Sequence, residues 1–294
     1  MDEVTGVIRR FNRGYIQWIG ALEDPFLGTG LPLGAARLLT EIGAEPATSQ
    51  ALRVRLGLGS GYLSRLLRRL EKEGLIEVTP DPVDQRHRRV GLSDKGRRRR
   101  AELEEHSEDQ ARRLVDPLSA RQRARLAAAL AEADLLVRAA TVEFEAVDPA
   151  SPVARQAVAR YFAELGRRFG YDPAGQTDDD AFLLAPPAGV FLVAVGDGEP
   201  VACGGVRTID DGVGEIKRMW VHDAWRGAGI GSRLLRRLED TARALGHHTA
   251  RLDTNETLVE AVAMYGRAGY QPVGRYNDNS FATHFFEKPL TPPY

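Results

Sequence analysis

The chain has 294 residues, of which 43% are hydrophobic and 28% are charged, as in ordinary globular proteins of about two domains. No stretch approaches the ~18 apolar residues of a membrane span, and the acidic start MDEVTGV differs from the basic start of a signal peptide. A single cysteine, Cys203, excludes an internal disulfide framework. We therefore expect a soluble cytoplasmic protein.

Charge is distributed unevenly along the chain. Residues 48–100 carry 14 basic and 6 acidic residues, a net charge of +8, whereas the whole chain has a net charge of −1. A basic segment of this kind can bind nucleic-acid phosphates. A salt-bridged helix face that only contacts solvent can have the same composition. The secondary structure predicted within the segment is therefore needed to distinguish a nucleic-acid-binding surface from such a face.

Four helices are predicted before residue 75. The first two, over 4–22 and 33–42, are separated by an apolar Pro/Gly break that we expect to pack. Thr48 is a plausible N-cap for a third, short helix that ends at Gly57. The fourth helix, 60–73, places Leu63, Leu66, Leu67 and Leu70 on one face. Two short helices joined by a glycine-containing turn predict a helix-turn-helix.

The opposite face of the helix predicted over 60–73 carries small and basic residues. Small residues allow close approach to a DNA groove, and arginines can reach phosphates or guanine edges. The candidate DNA contacts on this helix are Ser60, Gly61, Ser64, Arg65 and Arg68.

A β-hairpin is predicted next, with strands over 75–78 and 88–92 and a basic tip. Its candidate contacts to a minor groove are Arg86, His87 and Arg88. The hairpin completes a winged helix-turn-helix.

The motifs GYLSRLLRRLEKEGLI, Asp84-x-Arg86 and Val90-x-Leu92-Ser93-x-x-Gly96 resemble the MarR family of bacterial transcriptional regulators. The resemblance covers about residues 4–140. It implies that Asp84 fixes the wing and that Arg86 contacts the minor groove. It also implies a homodimer, formed by the first and last helices of the domain, that binds a palindromic operator in double-stranded DNA.

Two further helices, over 94–116 and 119–140, are predicted before a Pro-containing segment, VEFEAVDPASPVARQ, that we interpret as the junction between domains. The predicted domains are therefore 1–146 and 147–294. In the second, a helix over 152–169, a hairpin over 190–195 and 201–209, and later strands with interspersed helices predict an α+β fold.

Residues 213–246 predict a strand, a glycine-rich turn and a helix in direct succession. This order places free backbone N–H groups at a positive helix terminus, which is an anion site and most often binds phosphates. The turn RGAGIG matches neither the P-loop nor the dinucleotide fingerprint.

The Arg-x-x-Gly-x-Gly pattern of this turn resembles the acetyl-CoA pyrophosphate motif of the GNAT (Gcn5-related N-acetyltransferase) family. The ordered motifs CGGVR, GEIKRMWV, RGAGIG, RLDTN and AVAMYGRAGYQPVG extend the resemblance over about residues 147–290. It implies acetyl-CoA as cosubstrate, bound by the strand edge Met219, Trp220 and Val221, by Arg226, by the turn residues Gly227, Ala228, Gly229, Ile230, Gly231 and Ser232, and by Asn255. No metal is expected.

Two residues are candidate catalytic groups by the same resemblance. Tyr265 matches the general acid that protonates the CoA thiolate, and the alternative is a core tyrosine on an amphipathic helix. Glu215 matches the position that activates the amine through water, and the alternative is a glutamate paired with a neighbouring arginine. In a regular strand Glu215 would share a face with Lys217, Met219 and Val221.

The predicted fold class is therefore two domains: a mostly-α, MarR-like winged helix-turn-helix with dimerising helices, followed by an α+β GNAT acyltransferase fold. The predicted function is a bacterial DNA-binding transcriptional regulator that also transfers acetyl from acetyl-CoA to a primary amine of a small molecule or protein. Two alternatives remain: a GNAT domain that only senses acetyl-CoA or a metabolite, and a winged domain that only dimerises. We expect the protein to be nucleoid-associated when bound to DNA, with its acceptor pocket around 165–185 and 275–283.

Overall fold

The computed structural model describes residues 2–43, 46–80, 88–170 and 181–290. Among these residues, no helix combines the length and the apolar character needed to cross a membrane. The chain divides into two compact units between Ala128 and Ala129. The predicted boundary at 146/147 remains a prediction, and each unit is described by itself.

The first unit is mostly helical. Its helices are α1 (Asp2–Trp18), α2 (Leu33–Glu41), α3 (Ser49–Leu56), α4 (Ser60–Lys72) and α5 (Asp94–Val115), and α6 (Ala120–Thr141) runs across the division. Its strands are β1 (Ala47–Thr48), β2 (Ile76–Pro80) and β3 (Arg88–Leu92), which form an antiparallel sheet in the order β1-β3-β2. The predicted helix-turn-helix and wing strands are confirmed, and β1 is an additional strand.

Local sequence signals account for the ends of these elements. The Thr48 hydroxyl accepts a hydrogen bond from the Ala51 N–H at 3.1 Å, which is the expected N-cap. Gly57 ends α3 with a positive φ of 62°. Ser93 caps α5 by accepting from the Gly96 N–H at 3.0 Å, and a Cβ on Gly96 would lie 1.8 Å from the Leu75 carbonyl oxygen. The Ser93-x-x-Gly96 motif therefore joins the wing to α5.

The second unit is an α+β fold, as predicted. Its helices are α7 (Pro152–Phe169), α8 (Ile230–Ala244) and α9 (Val259–Arg267). Its strands are β4 (Phe144–Val147), β5 (Gly189–Gly196), β6 (Glu199–Asp210), β7 (Val213–Val221), β8 (Thr249–Thr254), β9 (Gln271–Pro272) and β10 (His284–Pro289). They form one sheet in the order β4-β5-β6-β7-β8-β10-β9, in which β7 and β8 are parallel and the other pairs are antiparallel. The predicted junction segment thus contributes an edge strand, β4.

Hydrophobic clusters cover both faces of this sheet. On one face α7 packs through residues such as Ala154 and Ala157 against Phe191, Cys203 and Trp220. On the other face the leucines of α8, with residues of α9, pack in a cluster that contains Leu192, Val206, Ile216 and Leu252. Burial raises the pKa of the Cys203 thiol to about 12, which fits the small core residue that its position suggests.

Strand β7 contains a β-bulge that reverses its side-chain alternation. Cys203 of β6 pairs with Trp220 and Gly205 pairs with Lys217, so β7 has one extra residue in this interval, and Arg218 there has a φ of +55°. Met219 consequently packs with Ile216 in the α8-side cluster, while Trp220 packs on the α7 side. The expected strict alternation along β7 is wrong from this point onward.

Candidate functional site

A cleft opens where β7 and β8 separate. The parallel ladder runs from Val213–Thr249 to Ile216–Leu252, whereas β7 continues to Val221. A cavity of about 250 Å³ lies at this point, between residues of β7, β8, α7 and α9. Phe169, Asn279 and Phe281 also line it, so parts of both predicted acceptor segments meet here. Residues 171–180 of the first segment lie outside the described ranges.

The glycine-rich turn leads directly into the N-terminus of α8. Gly227 and Gly229 have φ values of 83° and 79°, which favour glycine, and Gly229 is the N-cap residue. A Cβ built on either glycine would meet no atom within 4 Å, so the space beside the turn is open. The first N–H groups of a helix have no partner within it and carry the positive end of its dipole. The turn therefore has the geometry of an anion site, and its binding of the acetyl-CoA diphosphate stays a prediction.

The remaining residues of the predicted turn differ in exposure. Ile230 is buried and anchors the start of α8, whereas Ala228, Gly231 and Ser232 are half-buried. A Cβ on Gly231 would lie 3.3 Å from Met264 Sδ of α9, so glycine here keeps α8 and α9 close.

The guanidinium group of Arg226 is hydrogen-bonded to other residues of the protein. Its Nε donates to the Val221 carbonyl oxygen at 3.0 Å, and its Nη2 donates to both carboxylate oxygens of Glu164. The predicted pairing of Arg226 with a phosphate stays a prediction.

The edge of β7 from Met219 to Val221 lies beyond the end of the β7–β8 ladder. Its other side still pairs with β6, as in Ala202–Val221. The Trp220 side chain turns away from the cleft, because its indole N–H donates to Glu164 Oε2 at 2.8 Å in the α7-side core. Trp220 can therefore serve the predicted pantetheine site only through its backbone.

Asn255 lines the cavity and is held at both ends of its amide. Its Nδ2 donates to the Phe281 carbonyl oxygen at 2.6 Å, and its Oδ1 accepts from the Thr257 N–H at 2.9 Å. These bonds fix the chain after β8, and the predicted pantetheine contact stays a prediction.

Tyr265 lies on α9 and lines the cavity, with its hydroxyl 3.8 Å from Met219 Sδ. Its ring packs near those of Tyr270 and Phe286, at centroid distances of 5.9 and 6.1 Å. Burial raises the pKa of Tyr265, and the charge of Asp253 acts in the same direction. The hydroxyl is therefore protonated at neutral pH, as a general acid requires, on a residue that also belongs to the core.

Glu215 is fully buried and fully engaged by other side chains. Arg207 Nε lies 2.6 Å from its Oε2, Asn277 Nδ2 donates to its Oε1 at 2.9 Å, and Lys217 Nζ is 3.7 Å away. The arginine pairing foreseen as the alternative is thus present. Its role as amine-activating base stays a prediction.

Asp253 is a functional candidate that sequence reasoning missed. Among the described residues that line the cavity, Asp253 is the one that carries a carboxylate group. Its Oδ1 lies 2.8 Å from Lys217 Nζ, and its Oδ2 accepts from Asn279. The available signal was an acidic residue inside a strand, RLDT, whose neighbours Leu252 and Thr254 are buried.

The predicted DNA-binding residues of α4 share its exposed face. Ser60, Gly61, Ser64, Arg65 and Arg68 are all exposed, whereas Leu63, Leu66 and Leu70 are buried. Arg65 lies over the Tyr62 ring at 5.7 Å, and Arg68 Nε donates to the Ser64 carbonyl at 3.3 Å. Arg88 is exposed at the start of β3, while Asp84, Arg86 and His87 lie outside the described residues.

Comparisons with known proteins match both units. The model of the Acetyltransferase (GNAT) family matches residues 156–270, and that of the MarR family matches residues 29–87. An IAA acetyltransferase of Azospirillum brasilense is 37% identical over 142 residues, which are 46% of this chain and 92% of that protein. An uncharacterized N-acetyltransferase of Schizosaccharomyces pombe is 31% identical over 123 residues, 40% of this chain and 76% of that protein.

A solved MarR-family transcriptional regulator from Rhodococcus sp. RHA1 aligns with 44% of this chain and 93% of its own, at 20% identity and a TM-score of 0.38. The assignment of this chain to a family rests on the two family-model matches and on the two acetyltransferase relatives given above. The chain belongs to the GNAT family of acetyltransferases and carries a MarR-family winged helix-turn-helix domain before its acetyltransferase domain.

Proposed function

We propose that this protein is a DNA-binding transcriptional regulator that also transfers acetyl from acetyl-CoA to a primary amine. One observation carries the enzymatic part. Met219 of the β7 edge and Tyr265 line one cavity, and the glycine turn connects the end of the same strand to the N-terminus of α8. An anion site, a strand edge beyond the end of the β7–β8 ladder and a protonated phenol together suit a cosubstrate that carries both phosphates and a thioester.

In this proposal each group of residues has a separate role. The N–H groups of 227–232 bind the diphosphate, and the backbone of Met219–Val221 hydrogen-bonds the amide groups of the pantetheine arm. When bound, acetyl-CoA supplies the acetyl thioester. The C–N bond forms as the C–S bond breaks, and the Tyr265 hydroxyl, which burial keeps protonated by raising its pKa, donates a proton to the departing sulfur. The proton that the amine loses passes through water to a base, for which Glu215 is the candidate, and solvent restores the proton of Tyr265. The amine enters beside Asp253 and the aromatic residues Tyr161, Phe162 and Phe281.

The DNA-binding part rests on α4 and on the charge around it. Arg65 and Arg68 are exposed on the face opposite the buried leucines, within the segment of net charge +8. Helix α1 supports a homodimer, because it exposes an apolar stripe: Val4, Val7, Ile8, Phe11, Tyr15, Ile16 and Trp18. A dimer would present two α4 helices to a palindromic operator.

Two titrations of the full chain test this proposal. Thiol release from acetyl-CoA in the presence of a panel of primary amines should reveal turnover, which a protein that only senses acetyl-CoA would lack. Fluorescence anisotropy on the DNA upstream of its own gene, with and without saturating acetyl-CoA, should show salt-dependent binding. A chain that binds neither acetyl-CoA nor DNA would contradict the proposal.

A further inference from the structure

The carboxylate of Glu164 on α7 is contacted by three donor side chains near the start of the glycine turn. Its side chain is only 12% exposed. Arg226 Nη2 donates to both of its oxygens, Arg168 Nε lies 2.9 Å from Oε1, and the Trp220 indole N–H donates to Oε2 at 2.8 Å. One carboxylate thus joins α7 to β7 and to the first residue of the turn.

Arg226 transmits this anchoring to the turn. Its Nε donates to the carbonyl of Val221, the last residue of β7, and its backbone N–H donates to the Asp223 carbonyl at 3.1 Å. The next residue, Gly227, begins the segment with positive φ that leads into α8. The guanidinium plane therefore fixes the direction in which the chain leaves β7.

The electrostatics of this cluster favour a fixed geometry. Charge-assisted hydrogen bonds are stronger than neutral ones, and low exposure strengthens them further. Without the Glu164 charge, two guanidinium groups would share a partly buried space with no carboxylate between them. Arg226 would then be expected to leave its place beside Val221.

We propose that Glu164 is a positioning residue for acetyl-CoA, acting through Arg226 to hold the N–H groups of the turn in their binding arrangement. The proposal rests on the acetyl-CoA site proposed above. This positioning role differs from a direct role for Arg226, in which its guanidinium group would bind a phosphate whether or not Glu164 is present. Glu164 also lies on α7, whose Tyr161 and Leu165 line the cavity, so one helix contacts both the cavity and Arg226.

A double-mutant cycle read out by CoA affinity tests this inference. Isothermal titration of CoA is carried out on the full wild-type chain, Glu164→Gln, Arg226→Gln and the double variant. We expect each single substitution to raise the Kd for CoA about tenfold. The double variant should raise it no further than either single variant, because both substitutions remove the same Glu164–Arg226 interaction. Glu199→Gln is the matched control, since Glu199 pairs with Arg160 of the same helix and should leave Kd unchanged.

Three outcomes overturn the inference. An unchanged Kd in Glu164→Gln, even with a lowered Tm, would reduce Glu164 to a structural role. Additive effects in the double variant would assign Arg226 a direct phosphate contact. A wild-type chain that does not bind CoA would overturn the proposed function and this inference with it. If Glu164→Gln does not fold, Glu164→Asp, which keeps the charge but shortens its reach, replaces it with the same expectations.

Discussion

The Tyr265 hydroxyl lies 3.8 Å from the Met219 sulfur. This contact joins α9 to β7 immediately after the bulge, at the strand edge that β8 has left. A tyrosine packed only as core would place its hydroxyl against any available acceptor. Here Tyr265 lines the cavity that we propose for the thioester, and the weak acceptor Met219 leaves the proton of its hydroxyl available.

Tyr265→Phe should lower the turnover of acetyl-CoA-dependent thiol release about a hundredfold, because it removes the proton donor to the thiolate. CoA affinity should persist, since the ring and its packing remain. Tyr270→Phe is a matched control, with its ring 5.9 Å away in the same cluster. Unchanged turnover in Tyr265→Phe would remove it as the acid.

Gly229→Glu should weaken CoA binding by at least about tenfold, because a carboxylate at the N-cap of α8 repels phosphate charge. Its φ of 79° also disfavours a side chain. Gly246→Glu, with a φ of 90° just after the other end of α8, adds the same charge and strain away from the turn. Calorimetric titration with CoA compares the two, and equal affinities would contradict the placement of the phosphate site.

Arg65→Ala should weaken DNA binding and lower the slope of log affinity against log salt by about 1, because one phosphate contact is lost. Fluorescence anisotropy at several salt concentrations measures both quantities. Arg236→Ala, an exposed arginine on α8, should change neither. If Arg65→Ala retains the wild-type slope, α4 does not dock on DNA as proposed.

Phe11→Glu should convert a dimer into a monomer, because it places a charge within the apolar stripe of α1. Phe11 is 43% exposed and stacks on Tyr15 at 5.2 Å. Light scattering after size exclusion should give one chain mass, 32.3 kDa, for this variant and twice that mass for wild type. Gln17→Glu adds a charge on the opposite, exposed face of α1 and should remain dimeric, whereas a dimeric Phe11→Glu would place the interface elsewhere.

His247 should make the second unit less stable in mild acid. Burial, with a smaller contribution from His248, lowers the pKa of His247 below its ordinary value of 6.5, and its Nε2 lies 3.1 Å from Thr208 Oγ1. The folded state thus binds fewer protons than the unfolded state, so this contribution is fully present above the unfolded pKa and is lost as the pH falls toward the folded value.

Urea unfolding at pH 7.5 and pH 5 measures this effect for His247. The loss of unfolding free energy between the two pH values should be smaller in His247→Asn than in wild type. His106→Asn, at an exposed position on α5, removes an imidazole without this burial and should keep the wild-type difference. An equal loss in His247→Asn would show that its protonation is not linked to folding.

The sequence by itself determined the helix-turn-helix, the wing strands and the glycine turn. The leucines of α4 recur at helical spacing, and Gly57 and Gly229 stand where the chain needs a positive φ. These signals lie within a few residues of the structure they specify, because helix periodicity and turn geometry are local properties. Motif order along the chain then sufficed to indicate both families.

Only the tertiary structure decided which side chains meet in the cleft. The bulge at Arg218 reverses the faces of β7, and no local pattern marks where a strand gains a residue. Glu164 reaches Arg226 across 62 positions, and Asp253 meets Lys217 across 36. Charged residues choose partners by register and burial after the sheet has formed, so sequence spacing carries no record of these pairs.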